Sequence, residues 1–560
     1  MKLKLATILP IASWLPKYQK GFLKWDLIAG ITLASFVLPE SMAYATLAGV
    51  PSYYGIYCCI TAGLLFALFT TSKHVAVGPT SSISLLVGST VAVLSGGDPD
   101  RWVGIAALAA LAVACICLIA YVLKLSSLVN FISDSILLGF KAGAALSIMS
   151  TQLPKLFAVE GGGAHFFSRM GNLFQQLPNT NWLVLGFGLA ALLVLIAGDI
   201  FLPGKPISLL VVILSIIIIS VTDLASSGFH ITGNIPSDLP AIKRPSLRLR
   251  DIDGILELAF ACFLLGYIET VSAARTFALK NNYVVNPRQE LLSLGAANLA
   301  TSFTSGYVVA GGLSQSTVNE KSGARTPLSL IICSVALSLI LLYLSGLLKN
   351  LPEVILAVIV LHAVSGLIKI KELKRIYKLD KTDFAVAMIA IAGVLVLGIL
   401  KGVMLAVVMS LILLIRRASR PTVSVLGRIG KSQLYSDVSR HPGNTLYDGI
   451  LILRIESAIF YFNTEDILEK INRNIGAIGK VPKMVILDMS ASPSVDVSGA
   501  GMLVQLGEQL QKKGIKFYIV EALSNVREML RKCGIADFAG PITRKLAIND
   551  VVEEFNAAKL

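Results

Sequence analysis

Long apolar segments joined by short polar loops fill residues 23 to 417 of the chain. A helix that spans a membrane needs about 20 predominantly apolar residues, because it rises about 1.5 Å per residue across a hydrocarbon core of about 30 Å. Two segments, 78–94 and 310–322, are short and broken, so we count them as partial helices. The pattern predicts a polytopic α-helical membrane protein with fourteen spans. The twelve continuous segments are 27–48, 52–70, 102–123, 128–150, 182–200, 206–223, 256–279, 290–305, 326–348, 352–369, 380–399 and 401–416.

The two broken segments occupy matching places in two halves of the chain. Each is the third of seven segments, in residues 23–223 and in residues 255–417 respectively. Hydrophobic segments interrupted by glycine or proline at corresponding positions are typical of transporters built from inverted repeats. An odd number of spans per half would invert one half relative to the other, so the sequence predicts 7+7 inverted repeats.

Hydroxyl-bearing residues follow each interruption and give it a chemical role. A helix N-terminus has free N–H groups and about half a positive charge. Two such ends that meet near the bilayer midplane would bind an anion without a cationic side chain. The alternative is that the glycines only permit helix packing and the serines only cap. The candidate substrate-binding residues are Gly78, Thr80, Ser81, Ser82, Gly312, Leu313, Ser314, Gln315 and Ser316.

Glu269 lies near the centre of the predicted span 256–279. A carboxylate at that depth costs several kcal/mol unless it is protonated, paired or hydrated. Its neighbours one turn away include Gly266 and Ala273, and such small residues let this face approach another helix or line a cavity. We therefore predict that Glu269 couples transport to H⁺, or to a Na⁺ bound near it. The alternative is a structural hydrogen-bond anchor between helix bundles.

Basic residues in the short loops predict the orientation in the membrane. With the N-terminus in the cytoplasm, fourteen spans place Lys73, Lys124 and most other loop cations on the same side, as the positive-inside rule requires. The C-terminus is then cytoplasmic as well. Compact loops and the lack of a recognisable targeting segment favour a bacterial inner membrane. The loop 224–255 is an exception, because it falls outside yet is basic. It contains Lys243, Arg244, Arg248 and Arg250.

Composition supports lipid as the main solvent of the chain. Hydrophobic residues make up 55% and charged residues 15%, with a mean hydropathy of +0.74, whereas soluble proteins carry about 25% charged residues. The net charge of +15 clusters beside apolar spans, which indicates topology signals and lipid-headgroup contacts rather than nucleic-acid binding. The cysteines and histidines lack metal-ligand spacing. We therefore expect no cofactor, no metal centre and no enzymatic activity.

The composition changes after Pro421, where charge rises and the apolar runs shorten. Buried strands alternate with segments of helical periodicity, which predicts a small α/β domain with a largely parallel sheet. We assign residues 1–22 to a cytoplasmic segment, 23–420 to the membrane domain and 421–560 to a linker followed by a cytoplasmic domain from about 437. The predicted strands are 451–455, 483–488 and 516–520, and the predicted helices are 464–478, 498–513 and 523–533.

Several motifs along the chain resemble those of the SulP family of anion transporters. The stretch 39–57, which begins Pro-Glu-Ser-Met-Ala-Tyr-Ala, is similar to the motif of the family's first helix, and 290–326 is similar to its most specific signature. The tail resembles a STAS domain through Asp488 and the stretch 496–499. The resemblance implies fourteen helices in core and gate bundles, a substrate site between the third and tenth helices, elevator-type transport and a homodimer. Family substrates include sulfate, bicarbonate, chloride, oxalate and dicarboxylates.

The chain departs from the family pattern at two positions. Many members have arginine where this chain has Gln315, so binding here would rest more on helix dipoles, N–H groups and hydroxyls. A divalent anion would then need a proton or cation alongside, which gives Glu269 a larger role. The tail reads Asp-Val-Ser-Gly at 496–499. Its Ser498 aligns with the serine that is phosphorylated in related anti-sigma-factor antagonists, although a serine there could equally be a helix N-cap.

Together these observations favour a secondary active transporter of a small inorganic oxyanion, with sulfate as the first candidate and H⁺ or Na⁺ as the coupling ion. The alternatives are a Na⁺-coupled bicarbonate or dicarboxylate transporter and an uncoupled anion exchanger or channel. A nucleobase permease would have a similar helical fold, but the STAS-like tail and the sequence 311–317 argue against it.

Overall fold

The computed structural model contains two compact units, Met1–Ser410 and Leu411–Leu560. The first seven residues of the N-terminal segment, and Arg248 and Arg250 of the predicted outer loop, lie outside the described residues. The described residues are 8–96, 98–126, 133–163, 165–202, 206–222, 224, 228–245, 251–477, 480–543 and 546–557.

An α-helix overlaps each of the fourteen apolar segments. Two further helices, α6 and α14, lie between them, and a helical turn, Ile11–Trp14, precedes them. The helices are α1 (Lys20–Leu47), α2 (Tyr53–Phe69), α3 (Ser81–Ser95), α4 (Pro99–Val122), α5 (Asp134–Phe157), α6 (Phe166–Gln176), α7 (Trp182–Phe201), α8 (Ile207–Val221), α9 (Ile252–Lys280), α10 (Pro287–Phe303), α11 (Leu313–Lys321), α12 (Leu328–Leu348), α13 (Glu353–Ser365), α14 (Ile370–Leu379), α15 (Lys381–Leu397) and α16 (Ile399–Ser419).

The lengths of these helices make the chain a multi-pass membrane protein. Among the described residues, eight helical stretches are long and apolar enough to cross a membrane, and α2, α3 and α8 are shorter apolar helices. Since the remaining helices are shorter or more polar, the count of fourteen crossings stays a prediction. The sequence analysis missed α6 and α14 because their polar faces break the apolar runs. Such amphipathic helices are typical of the membrane interface.

The helices of the first unit pack in two bundles, each of which mixes both halves of the chain. In the first bundle α10 packs against α4 and α2, α12 against α1 and α2, and α9 against α4. In the second bundle α5 packs against α15 and α13, and α7 against α13 and α8. The bundles meet where α1 contacts α13 and α8 and where α3 contacts α5.

A two-stranded ribbon precedes the two short helices of the first bundle. Strand β1 (Ala76–Gly78) runs antiparallel to β2 (Ala310–Gly312), with Ala76 opposite Gly312. Each broken segment is therefore a strand followed by a helix. The helices α3 and α11 begin at Ser81 and Leu313, three residues after the predicted segments begin. The Ser316 hydroxyl joins the ribbon to α11, because it accepts a hydrogen bond from the Ala76 N–H (2.9 Å) and donates to the Gly312 carbonyl (2.6 Å).

The second unit contains a five-stranded sheet in the order β4-β3-β5-β6-β7. Strands β5, β6 and β7 are parallel, whereas β3 pairs antiparallel with both β5 and β4. The elements are β3 (Val423–Arg428), β4 (Tyr435–Asp437), β5 (Ile450–Ile455), α17 (Thr464–Ala477), β6 (Met484–Asp488), α18 (Val497–Lys512), β7 (Lys516–Val520), α19 (Ser524–Lys532) and α20 (Ile548–Ala557).

The predicted strands and helices of the tail agree with β5 to β7 and α17 to α19. The sequence analysis missed β3, β4 and α20. Because β3 begins at Val423, the sheet includes residues that were assigned to the linker before position 437. Leu453, Leu487 and Leu503 are fully buried in its core.

Candidate functional site

A cavity of about 440 Å³ lies between the two bundles, where α3 and α11 begin. One wall comes from α1, α3, α9 and α11 of the first bundle, and the other from α5 and α13 of the second. Seven of the nine predicted substrate-binding residues line it. They are Thr80, Ser81, Ser82, Gly312, Leu313, Ser314 and Gln315.

The starts of both short helices contribute N–H groups to this cavity. Thr80 and Gly312 are the extended N-cap residues of α3 and α11, and the first turn of each helix lines the cavity. The N–H groups of a first turn have no acceptor within their own helix. Leu313 and Ser314 are exposed. The arrangement therefore brings two partly positive helix ends to one space.

The other two predicted residues support the ribbon from behind. Ser316 is fully buried and ties α11 to β1. A Cβ added at Gly78 would lie 3.1 Å from the Gln315 Oε1 and 3.1 Å from the Cys59 Sγ. Gly78 therefore leaves the space that the Gln315 side chain occupies. Gly78 and Ser316 themselves do not line the cavity.

Gln315 connects three elements of the first bundle. Its Nε2 donates to the Glu40 Oε2 (3.1 Å) and to the Pro79 carbonyl (3.0 Å). Its Oε1 is buried without a hydrogen-bond partner among the described residues. The Tyr44 hydroxyl donates to the Glu40 Oε1 (3.0 Å). The side chain at position 315 is thus an amide that donates a hydrogen bond to a carboxylate.

Glu269 lines the same cavity and contacts the start of α3. The Thr80 hydroxyl donates to its Oε2 (3.2 Å) and the Ser82 hydroxyl to its Oε1 (3.3 Å). Two of the hydroxyls that we expected to bind the anion are therefore directed at the carboxylate. Lys141, on the opposite wall, interacts electrostatically with Glu269.

Comparison with known proteins assigns this architecture to a family. Residues 23–390 match the family model described as the sulfate permease family, and residues 442–548 match the model of the STAS domain. The chain belongs to the sulfate permease family. The recognition made from the sequence motifs is confirmed.

Two proteins named as sulfate transporters and one solved structure align with almost the whole chain. A protein named probable sulfate transporter from Mycobacterium tuberculosis is 29% identical over 94% of this chain and 96% of its own length. A low affinity sulfate transporter of Stylosanthes hamata is 32% identical over 99% of this chain and 90% of its own. The structure of a murine Solute Carrier 26 family member A9 anion transporter, in the inward-facing state, has a TM-score of 0.90 at 22% identity and covers 100% of this chain and 95% of that chain. This last likeness concerns the fold.

Six charged or polar residues that line the cavity of this sulfate permease family member were not predicted as site residues. They are Glu40, Tyr44, Lys141, Ser272, Thr317 and Lys369. Glu40 and Lys141 are charged residues within predicted apolar spans, and intramembrane charge is a signal of function. We used this signal only for Glu269 and therefore expected no cationic side chain at the site. The cavity instead contains two carboxylates and two lysines.

Not every buried carboxylate of the membrane domain belongs to the site. Glu290 accepts hydrogen bonds from the Thr71 N–H (2.8 Å), the Thr71 hydroxyl (2.7 Å) and the Thr70 hydroxyl (2.9 Å). Asp26 accepts bonds from the Arg325 N–H (2.7 Å) and from Thr326. Because their oxygens are satisfied by fixed donors, these two acids are anchors between helices. Among the described residues, no group of three or more His, Cys, Asp or Glu could hold a metal ion.

Ser498 of the STAS domain is exposed at the second position of α18. The N-cap of that helix is Asp496, whose Oδ1 accepts from the Gly499 N–H (2.7 Å) and whose Oδ2 accepts from the Tyr461 N–H (2.8 Å). The alternative interpretation of Ser498 as the N-cap is therefore wrong. Its role as a phosphorylation site stays a prediction.

Proposed function

We propose that the chain is a secondary active transporter of a small inorganic oxyanion, with sulfate as the first substrate to test. The observation that carries this proposal is the convergence of two helix N-termini, their hydroxyls and Glu269 on one cavity between two bundles. Helix N-termini are suited to anions because N–H groups and the helix dipole both favour negative charge. The relatives named as sulfate transporters support the choice of substrate.

The contacts of Glu269 give the coupling a physical basis. When Glu269 is ionised, it holds the hydroxyls of Thr80 and Ser82. It would also repel a divalent anion by roughly 7 kcal/mol at a separation of about 5 Å and an effective dielectric constant of about 20. Protonation removes this repulsion and frees both hydroxyls to donate to the anion. One proton would therefore enter the cavity with each sulfate.

A sodium ion could play the same electrostatic part, and the local geometry favours the proton. Hydroxyl donors already occupy both oxygens of Glu269, and Lys141 lies on the facing wall. Sodium needs several oxygen ligands that turn their lone pairs towards it. The positive charge of Lys141 would repel a sodium ion bound near Glu269.

Alternating access in this proposal moves one bundle past the other. The ribbon and both short helices belong to the first bundle, whereas Lys141 and Lys369 belong to the facing wall. A movement of the first bundle as a rigid body would carry the bound anion away from these lysines, as in an elevator. We further propose cytoplasmic termini, a bacterial inner membrane and a homodimer.

Uptake of labelled sulfate into proteoliposomes, with and without an inward proton gradient, tests the proposal. We expect accumulation that depends on the gradient and that excess bicarbonate or succinate does not block. Competition by either would move the assignment to a bicarbonate or dicarboxylate transporter. Counterflow without any gradient dependence would indicate an uncoupled exchanger. The absence of transport of all three anions under proton and sodium gradients would refute oxyanion transport.

A further inference from the structure

A second cavity, of about 530 Å³, lies at the far ends of the helices of the first bundle. It is formed where α1 ends, where α2 and α4 begin and where α10 ends. Residues 243–245 of the loop between α8 and α9 complete its wall. None of its lining residues belongs to the cavity between the two bundles, which we call the transport cavity.

The helix directions place this cavity on the outer side of the membrane. Helices α2 and α4 begin at the cavity and end shortly before Lys73 and Lys124. Helix α10 runs the other way, from Arg288 near its start to the cavity at its end. The three basic residues therefore mark the opposite face, which the positive-inside rule assigns to the cytoplasm.

Lys243 and Arg244 line this outer cavity, and both are exposed. They belong to the loop whose positive charge contradicts the positive-inside rule. No carboxylate is among the described residues that line the cavity. Two unopposed cations at a concave surface attract anions, and a guanidinium can bind an oxyanion through two parallel hydrogen bonds. The exception to the topology rule thus acquires a chemical explanation.

The loop is held in place by bonds to the helices, so that its cations stay at the cavity. The Lys243 N–H donates to the Phe303 carbonyl (2.7 Å), and the Tyr57 hydroxyl donates to the Asp238 carbonyl (3.1 Å). The first of these bonds also satisfies a carbonyl at the end of α10, which would otherwise disfavour an anion. Cations that are positioned before binding lose less entropy when the ligand arrives.

An indole ring also forms part of the wall. Trp102 lines the cavity, and its indole Nε1 is buried without a hydrogen-bond partner among the described residues. Since this atom is buried, Trp102 contributes its ring rather than its N–H to the cavity wall. Tyr53, Tyr54 and Ser305 add hydroxyl groups to the same wall.

We propose that this outer cavity binds a small tetrahedral oxyanion through Lys243 and Arg244, beside the ring of Trp102. The ligand is either free sulfate or phosphate or the phosphate of a lipid headgroup, since both present the same oxygens. This inference goes beyond the proposed transport function, because binding here needs no gradient and no movement of the bundles.

Trp102 provides a reporter for the test in the full-length purified chain. The other three tryptophans, Trp14, Trp25 and Trp182, are replaced by phenylalanine, and fluorescence is titrated with sodium sulfate at constant ionic strength. We expect a saturable change whose half-saturating concentration rises at least about tenfold in the double variant Lys243→Gln and Arg244→Gln, because charge-assisted hydrogen bonds are lost. Calorimetric sulfate titration of the otherwise unchanged chain gives a second measurement if the tryptophan replacements impair folding.

Matched variants separate this site from general charge effects and from the transport cavity. The double variant Lys349→Gln and Lys401→Gln removes the same charge from exposed positions outside the cavity and should titrate like the parent. Lys141→Gln should lower sulfate uptake but leave the Trp102 titration unchanged. If the parent chain shows the expected Trp102 titration but takes up no sulfate, the proposed transport function is wrong and the outer binding site is supported.

Titrations with and without lipid distinguish a free anion from a lipid headgroup as the ligand. A sulfate response in delipidated protein assigns the site to a free anion. A response only to phosphatidylcholine vesicles that contain phosphatidylglycerol, lost in the Lys243 and Arg244 double variant, assigns it to a headgroup. If neither probe gives a saturable response, or if the double variant responds like the parent, the proposal is overturned.

Discussion

Replacement of Glu269 by glutamine isolates the charge on which the proposed coupling depends. Glutamine keeps the size of the side chain, and its Oε1 can still accept a hydrogen bond from Thr80 or Ser82. It cannot take up or release a proton. We therefore expect the variant to fold and to behave as a permanently protonated transporter. It should bind the anion but should not use the proton gradient to accumulate it.

The size of the effect follows from the electrostatics of the cavity. A repulsion of roughly 7 kcal/mol between the ionised carboxylate and sulfate exceeds the cost of protonation, which is about 1.4 kcal/mol per pH unit. The wild type should therefore bind sulfate together with a proton. Where Glu269 is ionised in the free protein, the apparent affinity should fall about tenfold for each unit of rising pH. In the variant this dependence should disappear.

Two assays on reconstituted protein check this expectation. Sulfate binding at two pH values about two units apart, both in the range where Glu269 is ionised in the free protein, should differ by about 100-fold in the wild type and hardly at all in the variant. Gradient-driven accumulation should be lost in the variant while sulfate counterflow persists. Glu257→Gln is a matched control, because Glu257 is exposed on the same helix and should leave both results unchanged. If Glu269→Gln accumulates sulfate like the wild type, or keeps the pH dependence, the coupling mechanism is wrong.

Three further predictions concern the scaffold. Gly311→Ala places a Cβ 3.0 Å from the Thr270 backbone. It should lower the stability of the membrane domain by about 1–3 kcal/mol and so lower its thermal unfolding temperature; an unchanged temperature would contradict the ribbon geometry. Asp496→Ala should destabilise the STAS domain by about 1 kcal/mol in chemical unfolding, whereas Ser498→Ala should have little effect, and equal losses would refute the assignment of the cap. A chain that ends just before β3 should remain extractable as a folded, monodisperse species by size-exclusion chromatography. One that ends after β4 should aggregate, because β3 keeps β4 but loses its partner β5 and exposes an unpaired edge; the reverse order would contradict the sheet topology.

The helices could be located from the sequence because an apolar run is a local property of the chain. The hydrogen-bond partners of the polar residues inside those runs could not be predicted from the sequence. Glu40 and Gln315 are hydrogen bonded across 275 positions, and no spacing rule connects residues so far apart. Lys141 carried a usable signal, as a lone cation within an apolar span, but its approach to Glu269 depends on how the two bundles meet.

The interruptions themselves were predictable, and their pairing was not. Glycine and proline marked where β1 and β2 lie, but strands of three residues are too short to show alternation. The amphipathic helices α6 and α14 were missed for a different reason, since their polar faces interrupt the apolar runs. In the tail, β3 follows so closely after the last membrane helix that its residues were assigned to a linker.

The ribbon between β1 and β2 also constrains how the protein is made. Residue 78 emerges from the ribosome roughly 10 to 50 s before residue 310, at synthesis rates of about 5–20 residues per second. During that interval β1 has no partner strand, and unsatisfied backbone groups in the hydrocarbon cost several kcal/mol each. Until β2 is made, the backbone groups of β1 need other partners. Water, the insertion machinery or a position near the membrane interface would supply them. The binding site is consequently a late product of biogenesis, and a chain that stalls before residue 310 should lack the assembled site.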